Sequence, residues 1–372
     1  MVPPVNVSKM TGKEWLPYLK AEGFDGYEAA GWELDLPRCD TDGDAEAYAK
    51  ELVTQAKEYG LVIFSVAVHL QGQALGDEPS AKTLQFVGGE AVELYAAWRA
   101  AGNEPPREDP YFVPKNVADA IRAQAEVDMI RIVRLAHYLG KIQNRQVPVS
   151  GFVGSPAHCW SHFFEFPPPP REIGGHPIAD PRQVSLELLI ERFKSVFEAC
   201  KKYNVRFGLE CHPSERAMGD IASAREFLAA VIAAGYEGFV GFNLDASHMV
   251  WQNVSPIDFI REFAEHIFSV HLKGVFVSGV PTVNGLLGGY QPMGHFDNGW
   301  NFCTAASDRD AVPEELLIIT LNQVGYDGAL TIEWEDGNQD PFAGAALALA
   351  RIRVIDVPPS TIRHDAALKA QA

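Results

Sequence analysis

Helical stripes and apolar runs alternate along the chain, joined by one recurring junction. A helical pattern stops at Gly or Asn, one to three residues follow, and an apolar run begins. The phrase occurs as KAEGFDGYEAAG around Gly23, KEYGLVIFSVAV around Gly60 and AHYLGKIQNRQVPVSGF around Gly140. It returns as KKYNVRFGLE around Asn204, AAGYEGFVGFNLD around Gly235 and NQVGYDGALTIEWE around Gly325. Glycine or asparagine just past a helix end takes the left-handed conformation that caps it. The runs that follow are rich in Val, Phe, Ile and Leu without alternation, the pattern of a strand buried on both faces. Repeated helix-to-strand junctions predict βα units around a parallel sheet. The fold class expected is α/β, a (β/α)8 TIM barrel with long loops on its C-terminal face.

From Ala125 onward, Met129, Ile132, Val133 and Ala136 share one helical face and predict packing against the barrel. Further helices are expected near 44–59, 182–202, 220–234, 256–265 and 314–324, and a first strand at Val5 to Ser8. Residues 71–114 and 275–310 break the cadence. The second stretch includes GLLGGYQPMGHFDNGWNF, with Tyr290, Phe296, Trp300 and Phe302. Loops this long usually serve as lids or binding loops, and both would lie on the face where barrel active sites sit. Residues 1–372 are read as one domain, with 356–372 a surface tail.

Composition narrows the function classes. With 47% hydrophobic and 22% charged residues the chain can bury a large core. No apolar run approaches a membrane span and the N-terminus has no signal-type apolar region, so a cytoplasmic enzyme is expected. Five scattered cysteines without a CxxC pair fit reduced thiols. A formal net charge of −18 repels phosphate backbones, so nucleic acid is not the expected partner.

Candidate chemistry sits where the apolar runs end. RFGLECHPSE ends in Glu210 and then His212; GFNLDASHMVW ends in Asp245 and then His248; FSVHLKG carries His271; ALTIEWED carries Glu333. Taken singly each has an ordinary explanation: Asp245 as a helix cap, His271 as a core histidine, Glu333 as a solvated loop residue beside Glu335 and Asp336. Together they place three carboxylates and an imidazole at one barrel mouth, where they repel each other unless a cation neutralises them. Such a set suits one divalent ion, with Mn2+ the first expectation and Mg2+, Co2+ or Zn2+ open.

The segments GLECHPSE, GFNLDASHMVWQ, SVHLKG and TIEWED together resemble the xylose-isomerase-like sugar phosphate isomerase/epimerase superfamily. FDGYEAAGWEL, VHLQGQ and LNQVGYDG extend the resemblance over nearly the whole chain. It implies that Glu210, Asp245, His271 and Glu333 bind the metal, that Glu210 and Glu333 move protons, and that His248 contacts a substrate oxygen or the metal. Two departures stand out. The aspartate and arginine that family epimerases often place after the seventh-strand histidine are Gly274 and Val277 here, and a frequent glutamate is Arg216.

The expected reaction is proton abstraction next to a carbonyl through an enediolate, in a sugar isomerase or epimerase. His69, at the end of FSVAVHL, falls where family members often place a substrate-facing residue. His158 and Trp160, with His162, sit in GSPAHCWSHFFEF and either face a sugar ring or pack against a lid. His212, Lys273 and Trp300 are further substrate candidates, with Lys273 open to a salt-bridge role, and Glu28 and Trp32, read as lying after the second strand, are candidate substrate contacts. The missing arginine, together with the absence of Lys and Arg from 275–308, points to a neutral sugar or keto-glycoside rather than a sugar phosphate. The same resemblance leaves open a lyase, a C-glycoside deglycosidase catalytic subunit acting on 3-keto-glucosides with a small partner subunit. A homo-oligomer is also open. An apurinic-site endonuclease would share the fold but needs a basic face that this chain lacks.

Overall fold

In the computed structural model, which describes residues 12–158, 167–216, 219–287 and 291–361, helix ends and strand starts fall where the junction phrase puts them. Gly23, Gly60, Asn204, Gly235 and Gly325 have φ of 82°, 71°, 54°, 85° and 79°. The third junction is displaced. The helix Lys115–Gln143 runs past Gly140 and is capped by Asn144, at φ 53°. Gly140 serves close approach instead, since a Cβ there would stand 2.7 Å from the carbonyl oxygen of Arg145.

The apolar runs form parallel strands: β1 (Gly26–Ala30), β2 (Val62–Ala67), β3 (Val149–Gly151), β4 (Phe207–Glu210), β5 (Val240–Asp245), β6 (Ile267–Leu272) and β7 (Leu330–Ile332). Each strand pairs with the next in chain order. Every residue of β5 and β6 is buried. The helices Asp42–Glu58, Lys115–Gln143, Pro181–Tyr203, Ile221–Ala233, Pro256–Phe263 and Glu314–Val324 lie between successive strands in the chain. This is a nearly closed TIM barrel with seven strands among the described residues; the strand expected at Val5 to Ser8 lies outside them.

Side chains alternate between the helical layer and the barrel interior along each strand. Phe207 packs on Phe193 and Phe197, and Phe242 on Phe227, Phe259 and Phe263, all from the surrounding helices. Truncating a ring such as Phe242 to alanine costs about 3–5 kcal/mol. The alternate positions, Gly208 and Glu210 on β4 and Asn243 and Asp245 on β5, therefore face the interior. One continuous cluster of buried side chains runs from Trp15 to Ile352.

The two long stretches have internal structure. The stretch 71–114 contains the helices His69–Gly76, Ala81–Leu84 and Gly89–Ala100. After β6, Gly274–Val277 pairs antiparallel with Trp300–Cys303, and the chain between them forms the excursion 278–299. Gly274 allows this pairing, because a side chain there would meet the Cys303 carbonyl at 2.7 Å. Buried Asp336 fastens the far end of the hairpin to the loop after β7, accepting from the Thr304 N–H, the Thr304 hydroxyl and Arg309. Helix Pro341–Ile355 ends just before the expected tail. Among the described residues no helix is long and apolar enough to cross a membrane.

Candidate metal centre

The ends of β4, β5, β6 and β7 bring Glu210, Asp245, His271 and Glu333 together, with one ligand atom from each within 4.8 Å of all the others. Strand register accounts for part of this: Asp245 lies beside His271, and Glu210 beside Asn243. Asp245 takes on both roles open to it. Its Oδ1 caps the short helix Ala246–Val250, accepting from the Ser247 N–H at 2.9 Å and the Ser247 hydroxyl at 2.6 Å. Its Oδ2 faces the site, 2.9 Å from Lys273 Nζ but without a hydrogen bond of good geometry.

The carboxylates are wrapped in cationic and imidazole groups. Glu210 Oε2 is 2.6 Å from His69 Nε2 and 3.3 Å from His271 Nδ1, while its Oε1 is 3.3 Å from His248 Nε2. Burial alone pushes Glu210 up; the charge of His69 and hydrogen bonds from His248, His271 and His69 outweigh it and hold the carboxyl well below its usual range. Glu333 is likewise held low: Lys273 and His271 overcome burial and the repulsion of Glu210. Burial lowers His271, but Glu28 and Glu333 together raise it well above an ordinary histidine. Lys273 is buried, with Nζ 3.1 Å from Glu333 Oε2 and 3.3 Å from Glu335 Oε1, and it lies 4.6 Å from the centre of the Phe302 ring. The carboxylates of Asp245, Glu333, Glu335 and Glu210 raise it against its burial. The donor set fits a divalent ion: three carboxylates and one imidazole converge, and among the described residues the buried Asp245 Oδ2 has no hydrogen-bond partner of good geometry.

The other candidates divide. His69 and His248 border the site through Glu210. His212 lies tilted against His248, ring centroids 4.4 Å apart, and its Nδ1 is tied to the Ser214 hydroxyl at 2.5 Å. Burial and the neighbouring His248 lower it well below an ordinary histidine. His158 is exposed, on a turn where Ala157 and His158 both have positive φ, 56° and 52°. Trp160, His162 and Tyr290 lie outside the described residues. Trp300 stacks on Trp251 at 4.6 Å and 8° and donates to the Leu286 carbonyl at 3.0 Å, so it pins the excursion and has one face covered. Arg216 is turned away, buried against the Arg182 carbonyl and Glu226. Glu28 is within β1 and not after it, fully buried in the interior.

Three neighbours carry no mark in the sequence, and a fourth, Glu335, stands out there only as a loop residue beside Glu333. Ser65 and Ser150 donate to Glu28 Oε2 at 2.5 and 2.9 Å. Asn243 Nδ2 lies 3.2 Å from Glu210 Oε2 and 3.1 Å from His271 Nδ1. Glu335 is the half-exposed end of the Lys273 network. The signal that would find Asn243 is the strand period, since it stands two residues before Asp245 on the same face.

A family model described as xylose isomerase-like TIM barrel matches residues 16–355. A curated relative, the uncharacterized protein YfiH of Bacillus subtilis (strain 168), is 30% identical over 115 residues, 31% of this chain and 37% of its own length. Among solved structures, a xylose isomerase-like TIM barrel protein from Mycobacterium smegmatis in complex with magnesium superposes with a TM-score of 0.54 at 15% identity, covering 94% of this chain and 90% of that one. The 3-keto-D-glucoside 4-epimerase YcjR from E. coli gives 0.52 at 14% identity, covering 94% and 95%. The probable 3-DHS dehydratase AsbF from Bacillus anthracis gives 0.53 at 15%, also covering 94% and 95%. At these identities the likeness carries the fold.

Proposed function

For a chain that belongs to the xylose isomerase-like TIM barrel family, we propose a divalent-metal-dependent isomerase or epimerase that enolises a neutral keto-sugar. One observation carries the proposal: four metal-competent side chains from successive strand ends converge at the barrel mouth. Glu210, Asp245, His271 and Glu333 would hold the ion. When bound, it supplies Lewis-acid polarisation of a substrate carbonyl and the adjacent hydroxyl.

The rest belongs to the chain's own residues. Glu210 and Glu333 are ionised acceptors from the ends of β4 and β7; one takes the proton next to the carbonyl and the other returns it, giving an enediolate between the two steps. His69 and His248 fix the two oxygens of Glu210, and Lys273 fixes Glu333. Phe302 of the hairpin lies against Lys273 and His248 beside the site, and the sequence 275–308 offers no Lys or Arg to hold a phosphate. Names borne by fold neighbours guide only the choice of substrates to try.

The test is solvent exchange. Chelated protein reloaded with Mn2+ is incubated in heavy water with free ketohexoses, 3-keto-glucosides and their phosphorylated counterparts. Metal-dependent deuterium incorporation next to the carbonyl of a neutral substrate is expected. A clear preference for phosphorylated sugars refutes the neutral substrate. Release of an aglycone from a 3-keto-glucoside replaces the isomerase with the lyase, and neither exchange nor turnover on any of them, or nicking of abasic DNA instead, overturns the reading.

A further inference from the structure

We propose that Glu28 is a positioning residue for His271: it accepts the Nε2–H of the imidazole and thereby turns the Nδ1 lone pair toward the metal. The inference rests on the metal reading given above and deepens it.

The geometry is specific about which nitrogen does what. His271 Nε2 is 3.1 Å from Glu28 Oε1, while Nδ1 faces Glu333 Oε2 at 3.0 Å and Glu210 Oε2 at 3.3 Å. An ionised carboxylate only accepts, and a neutral imidazole carries a single N–H. A histidine that ligates an ion must be neutral; a proton held between Nε2 and Glu28 then leaves the Nδ1 lone pair to the ion. The opposite tautomer would aim an N–H at the ion and a lone pair at a carboxylate, unfavourable on both sides.

Glu28 is itself held for this contact. Ser65 lies beside it on β2, and both the Ser65 and Ser150 hydroxyls donate to Oε2, which leaves Oε1 for His271. Three hydrogen bonds from three strands hold the carboxylate in this orientation. A glutamate with no exposed surface in a barrel interior is costly unless something requires it. A polar cluster that merely filled the barrel would have no preference for one imidazole tautomer and no sensitivity to metal.

Glu28→Gln separates these roles. It keeps the shape and an oxygen for the two serines but turns an amide N–H2 toward His271, favouring the wrong tautomer. Mn2+ is titrated calorimetrically into the chelated full-length protein, with the unfolding midpoint of the metal-free form as control. Affinity in E28Q should fall about 10–100-fold, the usual effect of removing such a partner, with the metal-free midpoint little changed. In Zn2+-loaded protein carrying 15N-histidine, the proton of His271 should reside on Nε2 in wild type and leave it in the variant. Should E28Q not fold, Ser65→Ala with Ser150→Ala releases the carboxylate and is expected to weaken Mn2+ several-fold. Unchanged affinity in the variant that folds, or a wild-type proton on Nδ1, overturns the role of Glu28 alone. Wild type that binds no divalent ion overturns the metal reading, and this inference with it.

Discussion

Asp245 shows how far one side chain can be divided: one oxygen closes a helix while the other faces the site. Glu210 and Glu333 close no helix, but each would both hold the ion and move a proton, so their substitution reads out metal and chemistry together. Glu210→Gln and Glu333→Gln should each lower turnover by about 10²–10⁴-fold, the range for a lost general base or acid. Each variant should still bind substrate, because Lys273, His69 and His248 remain. Steady-state rates on a substrate found by the exchange assay check this, and near-wild-type turnover in both variants would remove them from the mechanism. At this scale the sequence was legible where strand and chemistry coincide: a carboxylate or histidine ending an apolar run stands out from its neighbours. Ser65, Ser150 and Asn243 do not stand out, because serine and asparagine are ordinary in any strand and their meaning lies in partners far along the chain. Glu28 is visible as a residue, but the pattern alone puts it after its strand instead of within it, which hides its partner.

Among the elements, those fixed by local rules were the readable ones. Helix ends follow from capping by glycine or asparagine, which is decided within a few residues. Gly140 misled because a glycine required for close approach looks the same in sequence as a cap. The hairpin of Gly274–Val277 with Trp300–Cys303 was not foreseen, since its register depends on strands joined by a long excursion. Trp300 is its fastening point, stacked on Trp251 and bonded to the Leu286 carbonyl. Trp300→Ala should loosen 278–299, speeding cleavage there by a protease and raising KM, with metal affinity unchanged. Cleavage at the wild-type rate would mean that the excursion is held by other contacts.

The molecule as a whole carries strong negative charge, and some of its acids are buried where charge is hardest to keep. Glu314 is buried, neither of its oxygens has a hydrogen-bond partner among the described residues, and burial, with Asp310 and Asp245 adding to it, raises its carboxyl well above the usual value. Asp310 is pushed up to about 6, chiefly by burial. A folded pKa above the unfolded value of about 4.3 means a contribution fully present below that value and lost as pH rises through the folded pKa. Stability of the wild type should therefore decline between pH 5 and pH 8. Glu314→Gln, which removes the titration without removing a hydrogen bond, should decline less and be the more stable protein at pH 8. Urea midpoints across that range decide it, and parallel curves would exclude Glu314 as a source of the slope. Glu28 and His271 are 243 residues apart, so their hydrogen bond can form only after the first strands and the sixth have found each other. Contacts of such separation are slow to reach, because the loop-closure entropy comes before any reward. A half-assembled barrel thus holds its carboxylates with part of their neutralising shell still absent, and their mutual repulsion disfavours compact states in which the strands have met in any other order.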